Sequence, residues 1–105
     1  MDLDDLNMRV TAAILHAERL PAGSDEAQRA FQEVGRIEES IAALTLANDF
    51  EGEIARRGAV RAALNAADPR HALGLLDRYL AEDISLEAAA SLEALRSKAN
   101  AELDE

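Results

Sequence analysis

Two stretches with matching apolar spacing constrain the fold of this chain more than any other feature. Apolar residues recur in steps of three and four across residues 3–20, and the same steps recur across residues 27–44. This spacing places the apolar side chains on one face of a helix. Between the stretches, Pro21 and Gly23 interrupt helix formation, and Ser24 is suited to cap the helix that follows. The pattern predicts two helices joined by a tight turn, an αα-hairpin.

A single register pairs the two apolar stripes when the second helix folds back on the first. All of the pairs are symmetric about the peptide bond between Gly23 and Ser24, which favours an antiparallel arrangement. The predicted pairs are Leu3 with Leu44, Leu6 with Ile41, Val10 with Ile37, Ala13 with Val34, Ala17 with Ala30, and Leu20 with Ala27. Because the side chains are small near the turn and large at the open end, we expect later helices to fill the open end.

The rest of the chain also favours helices. Aromatic residues make up 3% of the sequence and β-branched residues are sparse, whereas the helix formers Ala, Leu, Glu and Arg are abundant. Helices are predicted at about 3–20, 25–47, 50–67, 69–80 and 86–99, with caps at Asp2, Ser24, Asn48 or Asp49, Asp68 and Ser85. The predicted fold is all-α, a compact antiparallel bundle of four to five helices built on the N-terminal αα-hairpin. Residues 1–105 are expected to form a single domain.

Charge and composition limit the partners and the cellular location expected for the protein. The formal net charge is −10, which disfavours direct binding to nucleic acid or to an anionic membrane surface. The chain has no cysteine, no apolar run of about 20 residues, and an acidic start, MDLDDL, where a signal peptide would be basic. We therefore expect a cytoplasmic protein, and the excess of arginine over lysine is typical of a bacterial or phage genome rich in G and C.

Motifs that carry chemistry are missing from the sequence. His16 and His71 lack the spacing of a metal-binding pair, and no phosphate loop or activated nucleophile can be recognised. The DFEGE stretch begins like a calcium loop, but Ile54 stands where that loop requires glycine. We expect no enzymatic activity, no catalytic or metal-binding residues, and no cofactor.

A basic segment, EGEIARRGAVR at residues 51–61, interrupts the acidic chain. It overlaps residues 53–78, which carry five basic and three acidic side chains. Arg57 and Arg61 share one helix face, while Arg56 lies about 100° away. The favoured interpretation is a structural joint, in which two glycines allow close packing and the arginines pair with carboxylates of neighbouring helices. The alternative is a patch formed by Arg56, Arg57 and Arg61 that binds an anion or an acidic partner.

The first helix has a second apolar stripe, opposite the one that pairs with the second helix. We call it the outer stripe; it consists of Met8, Ala12 and Leu15. On the second helix, Phe31 lies beside the paired stripe and Leu46 behind it. Cover by the later helices is favoured at this chain length, but an uncovered stripe would indicate an interface with another chain. Met8, Leu15, Phe31 and Leu46 are therefore the candidate partner-binding residues.

These features favour a small acidic, non-enzymatic helical protein that binds another protein as an adaptor, regulator or assembly factor, or that forms a homodimer. The alternative is a charge-mimic inhibitor of the phage anti-defence type, which would block the basic nucleic-acid channel of a larger complex. An exposed apolar stripe would favour the first hypothesis, and carboxylates spread over one convex face would favour the second. A buried cluster containing His16 or His71 would instead favour an enzyme or a ligand-binding bundle.

Overall fold

The computed structural model describes residues 2–104, and the described chain folds into five helices. They are α1 (Leu3–Arg19), α2 (Asp25–Ala43), α3 (Phe50–Asn65), α4 (Pro69–Leu80) and α5 (Leu86–Leu103). No residue from 2 to 104 lies in a strand. The radius of gyration of 13.2 Å is that of a compact chain of this length, and the extents of 36 × 36 × 17 Å describe a flattened body. The predicted all-α bundle is confirmed.

The helices begin where the sequence predicted caps. Asp2, Ser24, Asp68 and Ser85 each accept a hydrogen bond from the backbone N–H three residues later. These bonds satisfy N–H groups that would otherwise lack a partner in the first turn. Asp49 occupies the cap position of α3 but makes no such side-chain bond.

Most helices pack against the neighbours that precede and follow them in the chain. α1 packs on α2, α2 on α3, α3 on α4, and α5 on both α4 and α3. α3 is the central helix, and its small side chains allow neighbours to approach on several sides. Its buried apolar residues are Ala55, Ala59, Val60, Ala62, Ala63 and Leu64.

The predicted αα-hairpin forms, and its apolar stripes face inward with one exception. Leu6 and Val10 of α1, and Val34 and Ile37 of α2, are buried in the common core. Leu44 is exposed, because α2 ends at Ala43 and Leu44 is its C-cap. The individual pairings of the register remain a prediction.

The end of α2 is the main correction to the predicted helix bounds. The sequence favoured a helix continuing to Ala47, whereas the structure ends it four residues earlier. There Thr45 turns back, and its hydroxyl donates to the carbonyl oxygens of Ile41 and Ala42 at 2.8 and 3.3 Å. α5 shows the opposite difference, continuing to Leu103 instead of Ala99.

In the described part of the chain, no helix combines the length and the apolar character needed to cross a membrane.

Candidate partner-binding groove

A groove opens between α1 and α3 because both helices pack on α2 but not on each other. Within the described residues, no Cα atom of α1 lies within 8 Å of one in α3. The space between them has a volume of about 580 Å³. We call it the α1–α3 groove; its lining residues are Asn7, Val10, Ile14 and Glu18 of α1, Phe31, Val34 and Glu38 of α2, and Ile54, Arg57, Gly58, Arg61, Ala62 and Asn65 of α3.

The α1–α3 groove is apolar at its base and extends along α1. Val10 and Val34 are buried, while Ile14 and Phe31 are only partly buried. An adjoining hollow of about 410 Å³ shares Val10 and Ile54 with the groove and continues toward the start of α3. The result is an elongated channel with apolar side chains open to solvent.

Arg57 and Arg61 lie on the α3 wall of this groove. Neither side chain forms an ion pair or a hydrogen bond with any residue between 2 and 104. The expectation that they pair with carboxylates of neighbouring helices is therefore wrong for these two residues. The α3 wall thus presents two cations that pair with no carboxylate among residues 2–104, in a chain whose net charge is −10.

Arg56 behaves differently, because its guanidinium is engaged inside the fold. The residue is only 5% exposed, and its Nε and Nη2 donate to the Glu82 carboxylate at 2.8 and 3.1 Å. Nη2 also donates to the carbonyl oxygens of Ala42 and Thr45, both at 3.1 Å, and Nη1 donates to that of Gly52 at 3.0 Å. Arg56 therefore joins the end of α2, the start of α3 and the α4–α5 connection, and the patch predicted from three arginines presents only Arg57 and Arg61.

The glycines of the basic segment allow close approach, as the joint interpretation predicted. A side chain at position 52 would collide with the backbone carbonyl of Leu46. A side chain at position 58 would collide with the carboxyl group of Glu38. Gly52 thus lets α3 begin against the α2–α3 connection, and Gly58 makes room for a polar group in the groove.

Glu38 lines the groove although the sequence did not predict a role for it. It is 6% exposed, and within the described chain its carboxyl group has neither a hydrogen-bond partner nor an ion-pair partner. Burial raises the pKa of this carboxyl from 4.5 to about 7, because a low-dielectric environment disfavours the charged form. No local signal could have identified it, since its position depends on how α2 and α3 pack against each other.

The outer stripe of α1 is uncovered. Met8 and Leu15 are 73% and 52% exposed, and α1 packs only on α2 among the described helices. The favoured expectation that later helices cover this stripe is therefore wrong. The other two candidate residues lie in different places. Phe31 lines the α1–α3 groove together with Arg57 and Arg61, whereas Leu46 is exposed in the α2–α3 connection.

Neither histidine belongs to a buried polar cluster. His16 is exposed, and His71 lies at the surface with its Nε2 2.9 Å from Glu39 Oε2. Among residues 2–104, no group of three or more His, Cys, Asp or Glu side chains is arranged to hold a metal ion.

Comparison of the chain with protein-family models, with curated proteins and with solved structures finds no match.

Proposed function

We propose that this protein is a non-enzymatic binding module that holds an amphipathic helix of another protein in the α1–α3 groove. The observation that carries the proposal is the open channel beside α1, which combines an apolar base with two arginines on one wall that have no partner among residues 2–104. A module of this kind would act as an adaptor, regulator or assembly factor, and we propose that it does so in the cytoplasm.

An amphipathic helix matches this channel in shape and in chemistry. Grooves between helices commonly bind a helix whose apolar side chains, spaced three and four apart, enter the groove. Val10, Ile14 and Ile54 offer apolar contacts for such side chains. The wall formed by Arg57 and Arg61 favours an occupant with carboxylates along one edge, because opposite charges across an interface select and orient the partner.

The charge of the α3 wall, where Arg57 and Arg61 lie, also separates this proposal from the charge-mimic hypothesis. A mimic of nucleic acid would meet its basic partner through carboxylates, and its binding would not require the apolar base of the groove. The two unpaired arginines instead favour an acidic occupant.

A selection from a displayed library of amphipathic helical peptides tests the proposal. We expect the wild-type protein to enrich peptides with an apolar face and acidic residues along one edge. Reversing both charges, Arg57→Glu with Arg61→Glu, should weaken binding of an enriched peptide by about tenfold or more, as measured by fluorescence polarisation. The matched control is Arg70→Glu on α4, an exposed residue outside the groove, which should change the affinity by less than about twofold.

Three results would contradict the proposal. The first is enrichment of basic peptides whose binding is insensitive to Ile54→Asp, which would favour the charge-mimic hypothesis. The second is binding that Met8→Asp abolishes and the double arginine variant leaves unchanged, which would assign recognition to the outer stripe. The third is concentration-dependent dimerisation in sedimentation experiments that Ile54→Asp prevents, which would make a second copy the occupant.

A further inference from the structure

We infer that Glu38 is the specificity-determining residue of the α1–α3 groove, selecting occupant helices that carry an amide or hydroxyl group on their apolar face. This inference rests on the proposed function and names the chemistry of the occupant at one position.

The carboxyl group of Glu38 lies inside the groove. Glu38 projects from α2 into the groove and lies against Gly58 of α3, where a larger residue would displace it. The residue is only 6% exposed, and its carboxyl oxygens have no hydrogen-bond partner among residues 2–104 but remain within reach of solvent. Arg57 and Arg61 line the same groove but form no ion pair with Glu38. The carboxyl therefore has unused hydrogen-bonding capacity directed into the groove.

An occupant of the groove would change the hydration of this carboxyl group. A helix seated in the groove would exclude the water that reaches the carboxyl. A purely apolar occupant would leave a buried polar group unsatisfied, whereas an occupant with a matching polar group would replace the lost water. Unsatisfied polar groups are a strong source of discrimination between partners that are otherwise alike.

The protonation states of Glu38 determine which polar group on the occupant would match it. Because burial holds the pKa of Glu38 at about 7, both protonation states are present near neutral pH. A carboxylate only accepts hydrogen bonds, whereas the neutral acid both donates and accepts. Amide and hydroxyl groups can do both, so they match either state. A lysine or arginine would match only the carboxylate and would be repelled by Arg57 and Arg61 on the wall.

The test uses a displayed helical-peptide library in which one central position of the apolar face is fully randomised. We expect wild-type protein to enrich Asn, Gln, Ser and Thr there. For two synthetic peptides that differ only by Gln or Leu, wild-type protein should prefer Gln by about tenfold. Glu38→Met, which keeps the approximate size and removes the polar group, should reverse this preference. Glu26→Met, an exposed position at the start of α2, is the matched control and should leave it unchanged.

A second variant protects the test if Glu38→Met fails to fold. Gly58→Ala retains the carboxyl but displaces it from its position, so it should also reduce the preference for Gln. Equal preferences of the wild-type protein and both variants, with peptide binding retained, would overturn this inference alone. Failure of the wild-type protein to bind any helical peptide would overturn the proposed function and the inference with it.

Discussion

At the scale of single residues, Glu38 couples folding to pH in an unusual direction. Carboxylates that are paired in a folded protein usually have lowered pKa values and stabilise it as pH rises. The pKa of Glu38 is instead raised from 4.5 to about 7 by burial. Between these two values the folded chain holds a proton that the unfolded chain has lost. The free energy of unfolding contributed by this group therefore falls as pH rises from 4.5 to 7, and is constant above that range.

Glu38→Gln removes this titration and should change the pH profile of stability. Between pH 4 and pH 8 the wild-type protein should lose about 3 kcal/mol of unfolding free energy that Glu38→Gln does not lose. The variant should therefore gain in stability relative to the wild-type protein as pH rises. Urea titrations across this range measure the difference directly. Glu26→Gln serves as the control, because the side chain it replaces is exposed. Parallel pH profiles of wild-type protein and Glu38→Gln would show that the carboxyl of Glu38 ionises normally in the fold.

At the scale of helices, Arg56 acts as a common ligand for chain segments that are distant in sequence. Its partners are the last carbonyls of α2, the first turn of α3, and Glu82 after α4. Its guanidinium carbon also lies 5.6 Å from the centre of the Tyr79 ring, within the range of a cation–π contact. One side chain thus joins the end of α2, the first turn of α3 and the α4–α5 connection through its hydrogen bonds.

Replacing Arg56 with methionine should destabilise the fold by about 2–4 kcal/mol, because buried carbonyl oxygens lose their donor and Glu82 loses its counterion. Glu82 is partly exposed, so water can compensate for some of this loss. Thermal or urea unfolding measures the effect, and Arg61→Met is the control, since Arg61 is exposed and unpaired in the described chain. A loss below about 0.5 kcal/mol, the range of ordinary surface substitutions, would contradict the role assigned to Arg56.

Local signals in the sequence predicted the presence of the helices better than where the helices end and how they pack on each other. Caps at Ser24 and Ser85 depend on residues within one turn of each other, so a single sequence contains the information needed to predict them. Just beyond the end of α2, the carbonyl of Thr45 accepts a hydrogen bond from Arg56, which lies eleven residues later and reaches it only in the folded chain. The helices and the basic segment were therefore predictable, whereas the end of α2 was not.

The α1–α3 groove could be predicted only in part for the same reason. Apolar periodicity indicated that α1 has apolar residues on two sides and identified Phe31 as a candidate, and the basic segment identified Arg57 and Arg61; all three line the groove. Periodicity could not indicate that α3 would pack on α2 without bringing its backbone close to that of α1. The contact between Glu38 and Gly58 depends on that same arrangement, so Glu38 remained unnoticed.

At the scale of the whole molecule, α1 has the fewest helical neighbours in the described chain. It packs only on α2, whereas α3 has three helical neighbours. Segments with few buried contacts open more often than the rest of a fold. We therefore expect amide hydrogens of α1 to exchange faster than those of α3 in the free protein, as measured by hydrogen–deuterium exchange and mass spectrometry. A groove-binding peptide should slow exchange in α1 more than in α4, which does not line the groove; equal protection of both helices would contradict the expected site.

Because α1 packs on a single helix among residues 2–104, its attachment affects the lifetime of the protein in a cell. A helix that detaches readily exposes the backbone to proteases, and degradation of such a segment follows the population of its open state. An occupant of the groove would supply the second neighbour that α1 lacks, and it would lower that population in proportion to its own concentration. We expect the abundance of this protein to follow the abundance of its partner, so that unaccompanied copies are removed by proteolysis while bound copies persist.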